Sequence, residues 1–282
     1  VEDIVRSEEN VVIEAAPGIG KSYALITKLK ELGEHFVFAA DTTTLADDLA
    51  SSHGLPAYYK GQAKPNPKES FVTIYDWVHR LPNQKVLNRD NMILVVDEWH
   101  SIITYYGFRH EVLSPMVDAF PEFKQVVGLT GTHIAKPSNF DRVKVDQDRD
   151  PIEVKHVSYE SLWGAIRSEI EYQNSIKHFI SLYDKGAKAD SLTRELIAAG
   201  FDEDKVEHFN ADTKNEDDIK SIMYNNLLGK DVDVVISTYT QGFSIDIDEI
   251  MVHIAPLPGA KHWVEDIVQV IQRFRKPCRL SV

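Results

Sequence analysis

The sequence predicts an α/β protein built from two mainly parallel sheets, each flanked by helices. Three observations predict it. Short apolar runs alternate with longer helix-period segments along the whole chain. The first of these runs, VVIEA from Val11, opens into a glycine-rich turn and then an apolar helix. The alternation stops at a polar, turn-rich stretch near the middle and then restarts.

Taken in order, VVIEA is followed by the helical pattern SYALITKLKEL, and HFVFAA (from His35) by TLADDLASS. FVTIY (from Phe71) leads into DWVHRL, MILVVDE (from Met92) into another helical stretch, and QVVGLTG (from Gln125) closes the first half. Apolar runs this short, separated by helices, read as βαβ units whose strands are buried on both faces. The segment from Lys136 to Lys155 reads as a linker, which places one domain at 1–150 and a second at 151–282. The second half repeats the logic: helix ESLWGAIRSEIEY, strand HFISLY, helix AKADSLTRELIAAG, strand KVEHF, helix NEDDIKSIMYNNLLG, strands VDVVIST and EIMVHIA, and helix WVEDIVQVIQRFR. Gly200 suits a helix C-cap, and the acidic NEDDIK suits a solvated helix start. GQAKPNPKES, near Gly61, reads as an exposed Pro-rich loop.

Composition narrows the class. A chain of 282 residues with 43% hydrophobic content can bury two cores. No apolar run approaches the roughly 18–20 residues that span a bilayer, and the acidic start VEDIVRSEEN is no signal segment. The single cysteine, Cys278, excludes an internal disulfide and fits a reducing compartment. The expectation is a protein of the cytoplasm, the nucleus or a viral replication site, neither secreted nor in a membrane. The net charge of −13 argues against electrostatic wrapping of a duplex. It leaves room for a local basic groove, and for phosphate binding by a few backbone N–H groups and one lysine. A chain that begins at Val1 also reads as a piece of something larger, with further domains or protein partners outside it.

Two motifs carry chemistry. Ala15-Ala16-Pro17-Gly18-Ile19-Gly20-Lys21-Ser22 fits the phosphate loop G-x-x-x-x-G-K-[ST], with alanine in the first glycine place. Gly18 and Gly20 let the backbone turn its N–H groups onto phosphate oxygens, and the helix N-terminus adds positive potential. Lys21 suits the β- and γ-phosphates, and the Ser22 hydroxyl suits Mg²⁺. Asp97-Glu98-Trp99-His100 follows the strand MILVV. A carboxylate at the tip of a buried strand needs a partner. Asp97 suits Mg²⁺, and Glu98 suits taking a proton from an attacking water.

These two motifs resemble the Walker A and DExH box of superfamily 2 helicases and translocases. The resemblance implies two RecA-like P-loop NTPase domains, with ATP bound between them and Mg²⁺ as cofactor. It assigns Ala16, Pro17, Gly18, Ile19, Gly20, Lys21 and Ser22 to the nucleotide, and Ser22 and Asp97 to the metal. LTGT, with Thr130, Gly131 and Thr132, resembles the motif that couples the nucleotide site to the second domain. VVISTYTQGFSIDI resembles motif V, matching at Thr238, at Gly242 and at Ser244 or Asp246. QVIQRFR resembles motif VI, with Gln269 and Arg273 aligned. It departs in carrying Gln272 where glycine is usual, Arg275 one place early and Lys276 in the expected slot. Which of Arg273 and Arg275 faces the γ-phosphate stays open, since residues two apart on a helix do not share a face. The motif style is most similar to the origin-binding helicases of large DNA viruses and phages.

The implied activity is an ATP-dependent helicase or translocase, with Lys21, Asp97, Glu98, Gln269, Arg273 and Arg275 serving hydrolysis. The implied partner is single-stranded DNA or RNA rather than a sequence-specific duplex. Asp41, Thr42, Thr43 and Thr44 follow HFVFAA and suit a nucleic-acid backbone; equally, one of them is the N-cap of the next helix. Thr73 resembles a further backbone contact, and Thr238 another. No glutamine-bearing adenine-reading motif precedes the first strand. Trp77, Trp99 and Trp263 read as core or interdomain packing, and the histidines show no metal-ligand spacing. Two rivals stand beside this reading: a P-loop ATPase that works without nucleic acid, and a helicase-like scaffold without catalysis.

Overall fold

The computed structural model describes residues 1–16, 19–59, 66, 69–81, 91–133, 136–145, 154–155, 162–172, 176–182, 187–209, 232–237, 250–255, 270 and 278–281. The chain divides into two compact units, Val1–Gln147 and Asp148–Val282. Among the described residues each holds a six-stranded sheet whose pairings are all parallel. No helix among the described residues is long and apolar enough to cross a membrane.

In the first unit the strands are β1 (Val11–Ala15), β2 (His35–Ala40), β3 (Phe71–Ile74), β4 (Met92–Val96), β5 (Gln125–Thr130) and β6 (Asp141–Val145). They lie in the order β3-β2-β4-β5-β1-β6. The apolar runs form strands because both faces are covered. One face, carrying Val11, Ile13, Phe36, Phe38, Ile93 and Val95, packs under α1 (Glu2–Ser7), α2 (Lys21–Glu31) and α3 (Thr43–His53). The other, carrying Val12, Val37, Phe71, Leu94 and Val126, packs under α4 (Tyr75–Val78), α5 (His100–Thr104) and α6 (Tyr106–Asp118). Adjacent residues of a strand feed opposite cores, which is why β1 and β4 are buried at every position.

Gly128 fixes how the second face closes. A Cβ placed there would lie 2.5 Å from the Trp99 ring. That ring stacks on Phe120 at 5.7 Å and tilts against Phe140 at 5.1 Å, so it has nowhere to retreat.

The second unit holds β7 (Val154–Lys155), β8 (Lys177–Leu182), β9 (Val206–Phe209), β10 (Val234–Ser237), β11 (Ile250–Ala255) and β12 (Cys278–Ser281), in the order β7-β12-β11-β8-β10-β9. Ile180, Val206, Val234 and Ile236 pack against α7 (Leu162–Tyr172) and α8 (Ala187–Ala198). Gly200 follows α8 with φ 98°, as its C-cap reading requires.

Two expectations change. The stretch read as a linker, Lys136 to Lys155, contains β6, which pairs with β1, and β7, which pairs with β12. Its polarity misleads because both are edge strands, and β6 is partly exposed along its length. The helix expected over DWVHRL shrinks to the single turn of α4, which takes Tyr75 from the end of the expected strand. CRLS near the C-terminus forms β12, a strand the sequence reading does not include. The six-residue α1 is likewise not part of the sequence reading. The helices expected over NEDDIKSIMYNNLLG and WVEDIVQVIQRFR lie outside the described residues, Val270 apart.

Gly128→Ala is expected to destabilise the first unit by about 2 kcal/mol, the range for forcing a methyl into a filled core. Urea denaturation of the variant beside the wild type checks this.

Candidate nucleotide site

Every strand of the first sheet points the same way, so every strand's carboxyl end opens onto one edge. Ligands of such sheets sit at that edge, where the strand order reverses. Here the reversal falls beside β1: the chain leaves β1 for β2, beyond β5 and β4, and later returns to β6 on β1's other side. The residues that follow β1, β2, β4 and β5 are the loop to Lys21, Asp41, Asp97 and Gly131. Four motifs far apart in sequence thus meet on one edge.

After β1, Gly20 caps α2 with φ 82° and ψ 28°. A side chain there would meet nothing within 4 Å, so glycine serves the left-handed backbone rather than a tight space. Lys21 and Ser22 form the first turn of α2, both partly exposed. Ala16 and Ile19 flank the turn, while Pro17 and Gly18 lie outside the described residues.

After β4 the chain makes a turn that is strained and heavily tied. Glu98 holds φ 47°, a conformation that costs a non-glycine residue roughly 1–2 kcal/mol. The Asp97 N–H donates to Ala39 O at 3.0 Å, and the Trp99 N–H to Leu129 O at 2.7 Å, so both neighbouring strands hold the turn. The Glu98 N–H donates to Asp97 Oδ1 at 3.1 Å. Its carbonyl accepts from the Ser101 N–H at 2.7 Å and from the Tyr75 hydroxyl at 3.4 Å. Tyr75 donates more closely to the carbonyl of Asp97. The ties fix a carboxylate at the sheet edge: Asp97 is buried and Glu98 is partly exposed.

His100 connects this turn to the next strand end. Its Nδ1 lies 3.4 Å from Glu98 Oε2 and 3.4 Å from Thr130 Oγ1. The Thr130 hydroxyl donates to Thr132 O at 3.1 Å and accepts from the Thr132 N–H at 3.1 Å. With that hydroxyl proton engaged, the tautomer carrying its proton on Nδ1 can donate to Glu98 or Thr130. Thr130, expected with Thr132 as part of a coupling motif, is thereby in contact with the DEWH turn.

In the segment after β2 one of the expected residues caps the next helix. Thr42 is the N-cap of α3, accepting from the Leu45 N–H at 3.3 Å, while Thr43 is exposed at the helix start. Thr73 needs a correction. It is fully buried and donates to Tyr58 O at 2.6 Å, so its hydroxyl has no face left for a polymer. Trp99 is a core residue, and Trp77 is partly buried under the Arg80 guanidinium at 4.6 Å. Thr238, Gly242, Ser244, Asp246, Trp263, Gln269, Arg273 and Arg275 lie outside the described residues; β10 ends at Ser237, one residue before Thr238.

Sequence reasoning missed Arg109 and Tyr75. Arg109 sits at a kink in α6, where φ −120° and ψ 20° leave the helical region. Its guanidinium binds Asp41 closely, lies 3.4 Å from Asp76 Oδ2, and sits 6.0 Å over the Tyr75 ring. Burial pushes the Asp41 carboxyl above its ordinary value, and Arg109 pulls against that push without cancelling it. Burial likewise pushes the Tyr75 hydroxyl far up, so it stays a donor. No local pattern reveals Arg109, because Asp41 is 68 residues away.

No family model matches the chain, and no curated protein matches it. Solved structures do. Dbp5 of S. cerevisiae bound to RNA and ADP BeF3 matches with a TM-score of 0.69 at 15% identity, over 97% of this chain and 78% of that one. A point variant of Dbp5 in the same bound state matches at 0.68 and 15%, with the same coverage. A variant bound to gle1 and ip6 matches at 0.65 and 13%, over 97% of this chain and 77% of that one. At such identity the likeness is one of fold. The mainly parallel sheets with flanking helices match the RecA-like domain fold.

Arg109→Leu is expected to cost about 3 kcal/mol at pH 7, because it leaves the Asp41 carboxylate buried without its partner. The sign with pH follows from burial. A carboxyl whose folded pKa lies above its unfolded value stabilises fully below that value and loses the contribution as pH rises. Removing Arg109 raises the folded pKa further. The gap between variant and wild type should therefore narrow as pH falls from 7 toward 4.5, read by urea denaturation at both.

Proposed function

We propose that the chain is an ATP-hydrolysing nucleic-acid helicase or translocase of the DExH type. The observation that carries this reading is the shared sheet edge. A lysine-bearing phosphate loop with a left-handed Gly20 cap opens onto it, and so does a strained turn that presents Glu98.

The loop's N–H groups and the Lys21 ammonium bind the phosphates. Ser22 and Asp97 offer a hydroxyl and a carboxylate, oxygen donors that suit a hard cation. They would hold Mg²⁺, which would supply positive charge beside the phosphates. Glu98 takes a proton from water as the water oxygen bonds to the γ-phosphorus. The bond from that phosphorus to the bridging oxygen breaks, and ADP leaves with the bond's electron pair. Arg273 and Arg275 are assigned to the γ-phosphate, Gln269 to the same site and Gly242 to the nucleotide, by their motif matches alone. Thr42, Thr43 and Thr238 are the candidate contacts to single-stranded DNA or RNA. The compact motif V and the Gln-x-x-x-Arg-x-Arg spacing support the further reading of a viral or phage replication enzyme. A solved relative in fold carries RNA, which supports a nucleic-acid partner without choosing between RNA and DNA.

A second reading, an ATPase indifferent to nucleic acid, is favoured by the net charge of −13. The two separate in one assay: ATP hydrolysis at low salt, alone and with single- and double-stranded DNA and RNA. Stimulation by a polymer is expected, and equal rates in all conditions would establish the second reading. Glu98→Gln is expected to keep ATP binding and to lower turnover about a hundredfold or more, the range for a removed general base. Wild-type turnover in that variant would overturn the catalytic assignment.

A further inference from the structure

We infer that Tyr75 is the positioning residue for Glu98, a role that rests on the general-base reading above. Tyr75 begins α4 directly after β3, on the carboxyl edge, and is wholly buried. Its hydroxyl reaches across the sheet to the β4 turn and donates to the Asp97 carbonyl, with Glu98 O at 3.4 Å as a second acceptor. These are the two carbonyls that flank the Glu98 α-carbon. They belong to a backbone with φ 47°, which does not hold itself.

The ring of Tyr75 is held in turn. The Arg109 guanidinium lies over it at 6.0 Å and is anchored by Asp41 and by Asp76. Asp41 follows β2, Asp76 belongs to α4 and Arg109 to α6. Three elements thus pin one phenol, and the phenol pins the strained turn. Further ties on the turn come from the backbone of β2 and β5, from the Thr130 hydroxyl through His100, and from the turn itself. The Tyr75 side chain bonds to these carbonyls from outside β4 and its turn.

The role predicts a specific kinetic signature. A carboxylate that drifts from its position loses rate in the chemical step and leaves nucleotide binding alone. Tyr75→Phe removes only the hydroxyl. ATP hydrolysis by this variant should show a kcat lowered about tenfold with a KM within about twofold of wild type. In the Glu98→Gln background the same change should add no further loss, because there is no base left to position. 4-Aminophenylalanine at position 75 keeps a donor at the ring's end and should restore most of kcat.

The proposal falls if Tyr75→Phe turns over at the wild-type rate while Glu98→Gln is inactive. It falls equally if the two losses multiply in the double variant, or if 4-aminophenylalanine fails to rescue. Should Tyr75→Phe fail to fold, the 4-aminophenylalanine protein is compared with one carrying 4-methylphenylalanine: a higher kcat for the amine supports the role, and equal rates overturn it. Failure of the underlying reading looks different, since Glu98→Gln itself would then hydrolyse ATP at the wild-type rate.

Discussion

The parallel pairing of the first sheet constrains everything else in that unit. Parallel strands need crossover helices, and those helices cover both faces. The strands are therefore apolar at nearly every position, and β1, β2 and β4 are buried almost throughout. Polar chemistry is expelled to the strand ends. Because all the strands run one way, the carboxyl ends share a single edge, and Lys21, Asp41, Asp97 and Thr130 arrive there together. No long-range contact has to be designed for this meeting; the sheet direction supplies it.

That edge is also where the unit holds its strain. A left-handed Glu98 costs roughly 1–2 kcal/mol, and a typical intramolecular hydrogen bond contributes roughly 0.5–1.5 kcal/mol net. Bonds from Asp97, Trp99 and Glu98 N–H groups, with the Tyr75 hydroxyl, are enough to offset it. Gly128 completes the device by leaving room for Trp99, which anchors the far side of the turn in the aromatic cluster with Phe120 and Phe140. The glycine of one strand and the glutamate of the next are two parts of one packing solution.

The second unit obeys the same rule with different contents. β8, β10 and β11 form the centre of its parallel sheet, and Ile180, Val234 and Ile236 pack one face against α7 and α8. Two buried histidines, His178 on β8 and His253 on β11, lie ring against ring with nitrogens 2.9 Å apart. A polar pair inside such a sheet is tolerated because the rings bond to each other.

By itself the sequence determined the fold class and the strongest motifs, because both are local. Alternating apolar runs and helix-period segments specify βαβ units, and β1, β2, β4, β5, β8 and β11 fall where those runs lie. The candidate phosphate loop is legible because glycine, lysine and serine occupy consecutive positions. Weak edge strands were not legible: β6 and β7 are polar or short, and only pairing with β1 and β12 makes them strands. Tertiary structure alone decided that Thr73 faces Tyr58, that Thr42 caps α3, and that Arg109 belongs with Asp41 and Tyr75. The reason is separation along the chain. A side chain's role at the edge depends on neighbours that the sheet brings together from tens of residues away, and no window of sequence contains them.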